Sequence, residues 1–146
     1  MRYISIAEDA IQTWLRGTPP DSVTASSKKT DFERIFQITP TNKSSCLLTL
    51  HVDNSSGLFD ILLPQGSQFD DLKLDPALIV EILDTVALGK VQEANLMWRK
   101  KSIMTKAKLR LKRGTWTTKR AILWCYLLRF LPPKPTYQVI RYEPYW

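Results

Sequence analysis

Apolar and polar residues repeat along the chain with two different periods. A helical period covers residues 5–16, where Ser5 and Glu8 form a capping box at the start. A second helix is predicted at residues 76–88, because Asp75 can accept hydrogen bonds from the first unpaired amides of that segment. We therefore expect two helices, one near the start of the chain and one in its middle.

Alternation of apolar and polar residues predicts strands elsewhere. The predicted strands cover residues 32–39, 46–53, 58–63, 90–98, 103–113 and 136–142. Residues 120–131 form an apolar run without a clear period, which fits a buried strand or a buried helix, and their β-favouring aromatics favour a strand. Residues 18–30 are rich in hydroxyl and turn-forming residues, and we expect them to form a long flexible connection.

These elements predict an α+β fold. We expect an antiparallel sheet of about 5–7 strands, built from hairpins and a meander, with two helices packed on one face. The 146 residues, of which 44% are hydrophobic and 24% charged, match one ordinary globular domain. The sequence therefore predicts a single domain over residues 1–146, with a flexible loop at about residues 18–30.

Cysteine usage and apolar runs indicate the compartment. The first nine residues, MRYISIAED, place two carboxylates where a signal peptide has its apolar stretch. The longest apolar run, residues 121–128, is well short of the roughly 20 residues that a helix needs to cross a bilayer. Cys46 and Cys125 are expected to be buried free thiols, with a disulfide between them as the alternative. We expect a cytoplasmic protein without a transmembrane segment, and the sequence leaves its oligomeric state open.

Charge is distributed unevenly between the two parts of the chain. Residues 1–93 contain 8 Lys and Arg against 13 Asp and Glu, whereas residues 94–146 contain 13 Lys and Arg against the single acid Glu143. Such asymmetry is typical of proteins that bind nucleic acids or anionic surfaces. The alternative is that the acidic part covers the basic part once the chain has folded.

The basic residues of one predicted strand share a face. Side chains alternate along a strand, so within residues 103–113 one face is apolar and the other carries a cationic row, which consists of Lys106, Lys108, Arg110 and Lys112. Arg99, Lys100 and Lys101 in the preceding turn, and Lys119 and Arg120 beyond, are expected to extend this basic surface. The plain alternative is a solvated sheet face that lysines keep soluble.

Aromatic residues accompany these cations. Eight of the ten Trp and Tyr residues follow residue 93: Trp98, Trp116, Trp124, Tyr126, Tyr137, Tyr142, Tyr145 and Trp146. Aromatic rings among cations are typical of single-strand nucleic-acid binding, although membrane-surface patches and protein interfaces use the same residues. We expect Trp116, at the exit of the predicted strand, to serve as a stacking platform.

Catalytic and metal-binding patterns are weak. His51 is the single histidine and strand parity directs it away from Cys46, so a Cys–His pair is not expected. A Ser–His–Asp arrangement of Ser55, His51 and Asp53 can be written, but three such residues near a turn are common by chance. Two cysteines and one histidine cannot supply four zinc ligands, and the glycines form no phosphate-binding loop. We expect no catalytic residue, metal or cofactor.

The sequence thus predicts a small non-enzymatic binding protein. Its basic hairpin, residues 90–113, is expected to contact a polyanion, in the first place a nucleic-acid backbone. One alternative is a protein-interaction module, an inhibitor, immunity-type protein or scaffold that binds an acidic protein through the same face or through the tail at residues 142–146. A second alternative is a small metal-independent ribonuclease that uses His51 with a lysine.

Overall fold

The computed structural model describes residues 2–128 and 130–146, with all of their side chains except that of Tyr126. Helices and strands follow one another in this order: α1 (Arg2–Arg16), β1 (Val23–Lys29), β2 (Glu33–Pro40), β3 (Leu48–Asp53), β4 (Leu58–Leu62), β5 (Gln68–Lys73), α2 (Pro76–Ala87), β6 (Val91–Trp98), β7 (Lys101–Leu111), β8 (Gly114–Ala121), α3 (Cys125–Leu128) and β9 (Thr136–Arg141). Both predicted helices are present, but α1 begins at Arg2, so Ser5 and Glu8 lie inside it and the capping box predicted at its start is wrong. The start of α2 is capped as expected, since the Asp75 side chain accepts a hydrogen bond from the amide of Ala77 at 3.2 Å.

The strands within the described residues form two antiparallel sheets. The first sheet contains β1 to β5 in sequence order, and the second has the order β8-β7-β6-β9. The predicted α+β class is confirmed. The nine strands are more numerous than expected, and they divide between two sheets because no strand of the first set pairs with one of the second within the described residues. β9 returns from a distant part of the chain to pair with β6.

Three strands lie where the sequence shows little apolar alternation. The segment 18–30 is not a continuous flexible connection, because β1 occupies its second half and pairs with β2 along its whole length. The other two unpredicted strands, β5 and β8, are edge strands like β1. An edge strand has one neighbour and can expose most of its side chains, so its sequence need not be strongly apolar.

The prediction of a strand over residues 120–131 is wrong. β8 ends at Ala121, and the short helix α3 follows at Cys125–Leu128. The helix is held by Cys125, which is buried with Leu96, Ile103 and Met104 in a small cluster separate from the main core. Arg129 and the Tyr126 side chain belong to this predicted segment and lie outside the described residues.

One main core joins both sheets and both long helices. α1 packs on β3 of the first sheet, and α2 packs on α1 and on β7 of the second sheet. Leu48, Leu50 and Val52 of β3 are fully buried in this core, as their alternation predicts. The second sheet adds Ala107, Leu109 and other residues of one face to the same core. The opposite face of the second sheet is therefore directed away from the core.

A buried carboxyl group joins the two sheets. Glu93 of β6 is 0% exposed, and its Oε1 accepts hydrogen bonds from the Gln65 amide at 3.0 Å and from the Tyr142 hydroxyl at 2.7 Å. Its Oε2 accepts from the Ser67 amide at 3.3 Å. Gln65 and Ser67 belong to the turn between β4 and β5, so Glu93 connects the second sheet to a turn of the first.

Further polar contacts lie along the same boundary between the two sheets, which we call the seam. Asn95 of β6 donates to the Gln65 side chain at 3.1 Å and accepts from the Thr105 hydroxyl at 3.2 Å. On β8, the Thr118 hydroxyl donates to the Gln68 carbonyl at 2.9 Å. The inner faces of β6 and β8 are thereby fixed against the first sheet.

The end of the chain is packed into the fold. Tyr145 is buried, and its amide donates to the Ala87 carbonyl at 2.8 Å while its hydroxyl donates to the Cys46 carbonyl. A Cβ atom at Gly89 would lie 2.9 Å from the Tyr142 carbonyl oxygen, so only glycine allows this close approach after α2. Tyr142 and Tyr145 therefore have structural roles, whereas Glu143, Pro144 and Trp146 of the same tail are exposed.

The described part of the chain contains no helix that is both long and apolar enough to cross a membrane.

The Glu93 contacts lead to a stability prediction. Replacing Glu93 with alanine leaves two amides and one hydroxyl without their acceptor, and each unsatisfied buried group costs about 1–3 kcal/mol. We expect Glu93→Ala to lower the free energy of unfolding by about 3 kcal/mol or more, and Tyr142→Phe to lower it by about 1 kcal/mol, both measured by urea unfolding. The exposed Glu8→Ala should remain within about 0.5 kcal/mol of the wild type. A similarly small effect of Glu93→Ala would contradict the role assigned to it.

Candidate anion-binding face

The cationic row lies on β7 and its immediate continuation. Lys106, Lys108 and Arg110 point to the face of the second sheet that is directed away from the core, while Ala107 and Leu109 between them are buried. The sequence predicted this division of the strand into two faces. Lys112, the fourth member of the row, lies just after the last residue of β7 and is exposed.

Neighbouring strands add cations to the same face. Residues directly opposite each other in an antiparallel pair share a face. Lys119 of β8 lies opposite Lys106, and Arg141 of β9 lies opposite Gln92, which itself lies opposite Lys108. Lys90, just before β6, accepts a backbone hydrogen bond from Arg110 at 3.0 Å. We call the resulting set the cationic face; it consists of Lys90, Lys106, Lys108, Arg110, Lys119 and Arg141.

Two adjoining hollows shape this face. The first has a volume of about 320 Å³ and is lined by four of the cations, Lys90, Lys108, Arg110 and Arg141, around Gln92. The second, of about 490 Å³, lies between Lys106, Lys108 and Lys119 over the small residues Ala94 and Thr117. Gln92 and Lys108 line both hollows. The face is thus a continuous, shallow basic trough rather than isolated side chains.

The acidic part of the chain does not neutralise this face. Within residues 2–128 and 130–146, the ion pair between a Lys or Arg and an acid is Arg113–Glu81 at 2.6 Å, and His51 lies 3.2 Å from Glu33. Neither includes a residue of the cationic face. The alternative that the acidic part of the chain covers the basic part therefore holds for Arg113, but it does not hold for the cations of the trough.

Trp116 and Arg120 lie on the opposite face of β8. Trp116 is paired with Leu109, and Arg120 with Thr105, both on the inner side of β7. Trp116 is half-buried and packs against Phe69 of β5, with ring centroids 6.4 Å apart. The structure therefore does not bring the predicted stacking platform, or Arg120, together with the cationic row.

The turn before β7 lies at the far end of the second sheet. Arg99 and Lys100 have positive φ angles of 48° and 64°, which are needed for the tight connection to Lys101. The Arg99 guanidinium lies 4.7 Å from the centroid of the Trp98 ring and donates to the Pro132 carbonyl at 3.4 Å. The turn that contains these three predicted residues therefore lies beside the α3 segment and not in the trough.

Tyr137 was not singled out in the sequence, and it belongs to this face. It lies opposite Leu96 on β9, so it shares the face of Lys106, and it is 53% exposed. The Lys106 ammonium lies 5.2 Å from the centroid of its ring and 3.3 Å from its hydroxyl. Tyr137 and Arg141 could not be assigned from the local pattern, because the non-local pairing of β9 with β6 places them.

Lys112 borders a different cleft. This cleft, of about 1010 Å³, lies between α1, α2 and the end of β7, and its floor includes Ala10, Ala77 and Val80. Its rim carries both signs of charge, with Asp9 on one side and Lys112 on the other. Lys90 and Arg110 also line this cleft, so Lys112 adjoins one end of the cationic face without lining either hollow of the trough.

His51 lies on the first sheet, apart from the trough. Its Nδ1 lies 3.2 Å from Glu33 Oε1, while Asp53 accepts from the amide and the hydroxyl of Ser55 at 2.7 and 3.0 Å. Asp53 therefore organises the turn after β3 instead of orienting the histidine.

Burial raises the pKa of the Cys46 thiol, with a further contribution from Glu93, so this thiol stays protonated at neutral pH. The geometry joins none of these groups into a nucleophilic site.

The crowding of like charges leads to a second prediction. Lys106 and Lys119 lie directly opposite each other, an arrangement that destabilises a sheet. A four-glutamine variant with Lys106, Lys108, Arg110 and Arg141 replaced should be as stable as the wild type or up to about 1 kcal/mol more stable at low salt. Urea unfolding should show this difference shrinking as salt is added. A loss of stability would show instead that these cations are paired with acids.

Comparisons with known proteins supply no further assignment. Family models, curated proteins and solved structures all give no match to this chain. The functional argument therefore depends on the cationic face and its surroundings.

Proposed function

We propose that the protein binds polyanions through the cationic face, and that its principal ligand is a single-stranded nucleic acid held by its phosphate backbone. One observation carries this proposal. Six cations line a continuous trough, and in the described residues none of them is in an ion pair. A bound polyanion would replace the mutual repulsion of these cations with attraction.

The spacing of the cations suits a phosphate backbone. Lys106, Lys108 and Arg110 follow one another along β7 at intervals of about 6.6 Å, twice the rise per residue of a strand. Successive phosphates of an extended single strand are separated by roughly 6–7 Å. A strand of nucleic acid that runs parallel to β7 can therefore place consecutive phosphates near consecutive cations, with Lys119 and Arg141 on either side.

Tyr137 supplies the aromatic contact on this face. A half-exposed ring beside a lysine can stack on a base while the ammonium contacts the neighbouring phosphate. Such stacking contributes about 1–3 kcal/mol per base and tolerates any sequence. The proposed binding is therefore governed by charge and stacking, with little discrimination between sequences.

The test is a salt titration of oligonucleotide binding. We expect nuclease-treated protein to bind labelled single-stranded RNA or DNA with an affinity that falls steeply with salt. In the four-glutamine variant, the slope of log K against log salt should become less steep by about 3, because each phosphate contact with a single strand releases about 0.7 counterions. Tyr137→Ala should weaken binding without changing the slope, since it removes stacking but no charge.

A matched control removes the same charge elsewhere. Replacing the exposed Lys28, Lys29, Lys43 and Lys73 with glutamine lowers the net charge equally but leaves the cationic face intact. This control should keep the wild-type slope. Equal slopes for all three proteins would contradict the proposal. So would a specific protein partner whose binding persists after nuclease treatment and is lost in the four-glutamine variant, because the ligand would then be an acidic protein.

A further inference from the structure

A second surface stands out beside the trough. The segment around α3 exposes large apolar side chains, with Leu123 at 89%, Trp124 at 60%, Leu127 at 58% and Phe130 at 86%. Ile122 and Leu131 are also exposed. Soluble proteins seldom expose so many neighbouring apolar side chains unless these contact another molecule. We call these six residues the apolar patch.

The apolar patch is held by defined contacts. Cys125 is 1% exposed and packs on Leu96 and Met104, whose side chains lie on the same face of the second sheet as Lys106. The Trp98 ring nitrogen donates to the Leu131 carbonyl at 3.2 Å. The segment is thus anchored on the sheet through Cys125 and Leu128, while the six side chains of the apolar patch are exposed.

The charged residues that flank the apolar patch along the chain are all positive. Arg120 precedes it, Lys134 follows it, and Arg99 is hydrogen-bonded to Pro132 next to it. The sequence contains no acid between residues 94 and 142. A surface that is apolar at its centre and basic at its edge is complementary to an apolar phase with a negatively charged boundary.

From this combination we infer that the apolar patch inserts into the surface of a bilayer that contains anionic lipids. Aliphatic and aromatic side chains enter the boundary between headgroups and acyl chains, while flanking cations contact the anionic headgroups. Most of the patch is aliphatic, which suits acyl chains and does not suit stacking on nucleobases. Self-association through the patch would place the cationic rims of two copies against each other, which is unfavourable.

This inference is independent of nucleic-acid binding and is tested with vesicles. We expect the full chain to sediment with vesicles of phosphatidylcholine and phosphatidylserine, and to bind much more weakly to phosphatidylcholine alone. The variant with Leu123→Ser and Phe130→Ser should bind the mixed vesicles more weakly by on the order of tenfold or more. The tryptophan fluorescence of the full chain should shift to shorter wavelength with mixed vesicles, and the variant Trp124→Phe should lose this shift, since the Trp124 indole enters a less polar environment.

The matched control changes exposed apolar residues elsewhere. Phe32 is 81% exposed and Leu88 is 52% exposed, and the variant with both replaced by serine should bind vesicles like the wild type. The Leu123 and Phe130 variant should also keep the oligonucleotide affinity and salt slope of the wild type, which separates this inference from the proposed function. Absence of vesicle binding, equal binding without anionic lipid, or an equal loss in both variants would overturn the inference. So would a dimer that the Leu123 and Phe130 substitutions dissociate, because the patch would then contact a second copy.

Discussion

The burial of Glu93 is the constraint on which the rest of this structure depends. Its carboxyl group accepts hydrogen bonds from two amides of the turn between β4 and β5 and from Tyr142, so one side chain joins both sheets and the end of the chain. A buried carboxyl group is costly unless its hydrogen bonds are made, which restricts how the sheets can be arranged. This seam fixes the inner face of the second sheet against the first. The opposite face, with its cations, is consequently left exposed.

That outward face has two chemically different halves. The trough at one end is basic, whereas α3 covers the other end and presents apolar side chains to solvent. Both halves are unfavourable for an isolated protein, because like charges repel and exposed apolar groups order water. A negatively charged ligand would reduce the repulsion among the cations of the trough, and an apolar phase would remove the exposed apolar side chains from water. In our proposal, the second sheet is a contact surface that the main core and the seam hold in place.

The sequence predicted those parts whose signal is local. α2 could be predicted from its cap and apolar stripe, and the two faces of β7 from simple alternation. Local patterns do not reveal non-local pairing, so Tyr137 was not placed beside Lys106, nor Arg141 near Lys108. Trp116 was expected to accompany the cations, but it lies on the opposite face of the sheet. Glu93 counted in the sequence as one more acid of the acidic part of the chain. Only the close approach of the β4–β5 turn makes it a buried acceptor.

The most direct test of the central claim is a lysine acetylation footprint with and without a single-stranded oligonucleotide, read by mass spectrometry. The account predicts that Lys90, Lys106, Lys108 and Lys119 are protected together, because they line one trough. Lys28, Lys29, Lys43 and Lys73 on the first sheet and its loops should react at unchanged rates. Protection of this second group, or unchanged reactivity of the first at saturating ligand, would contradict the assignment of the trough as the binding surface.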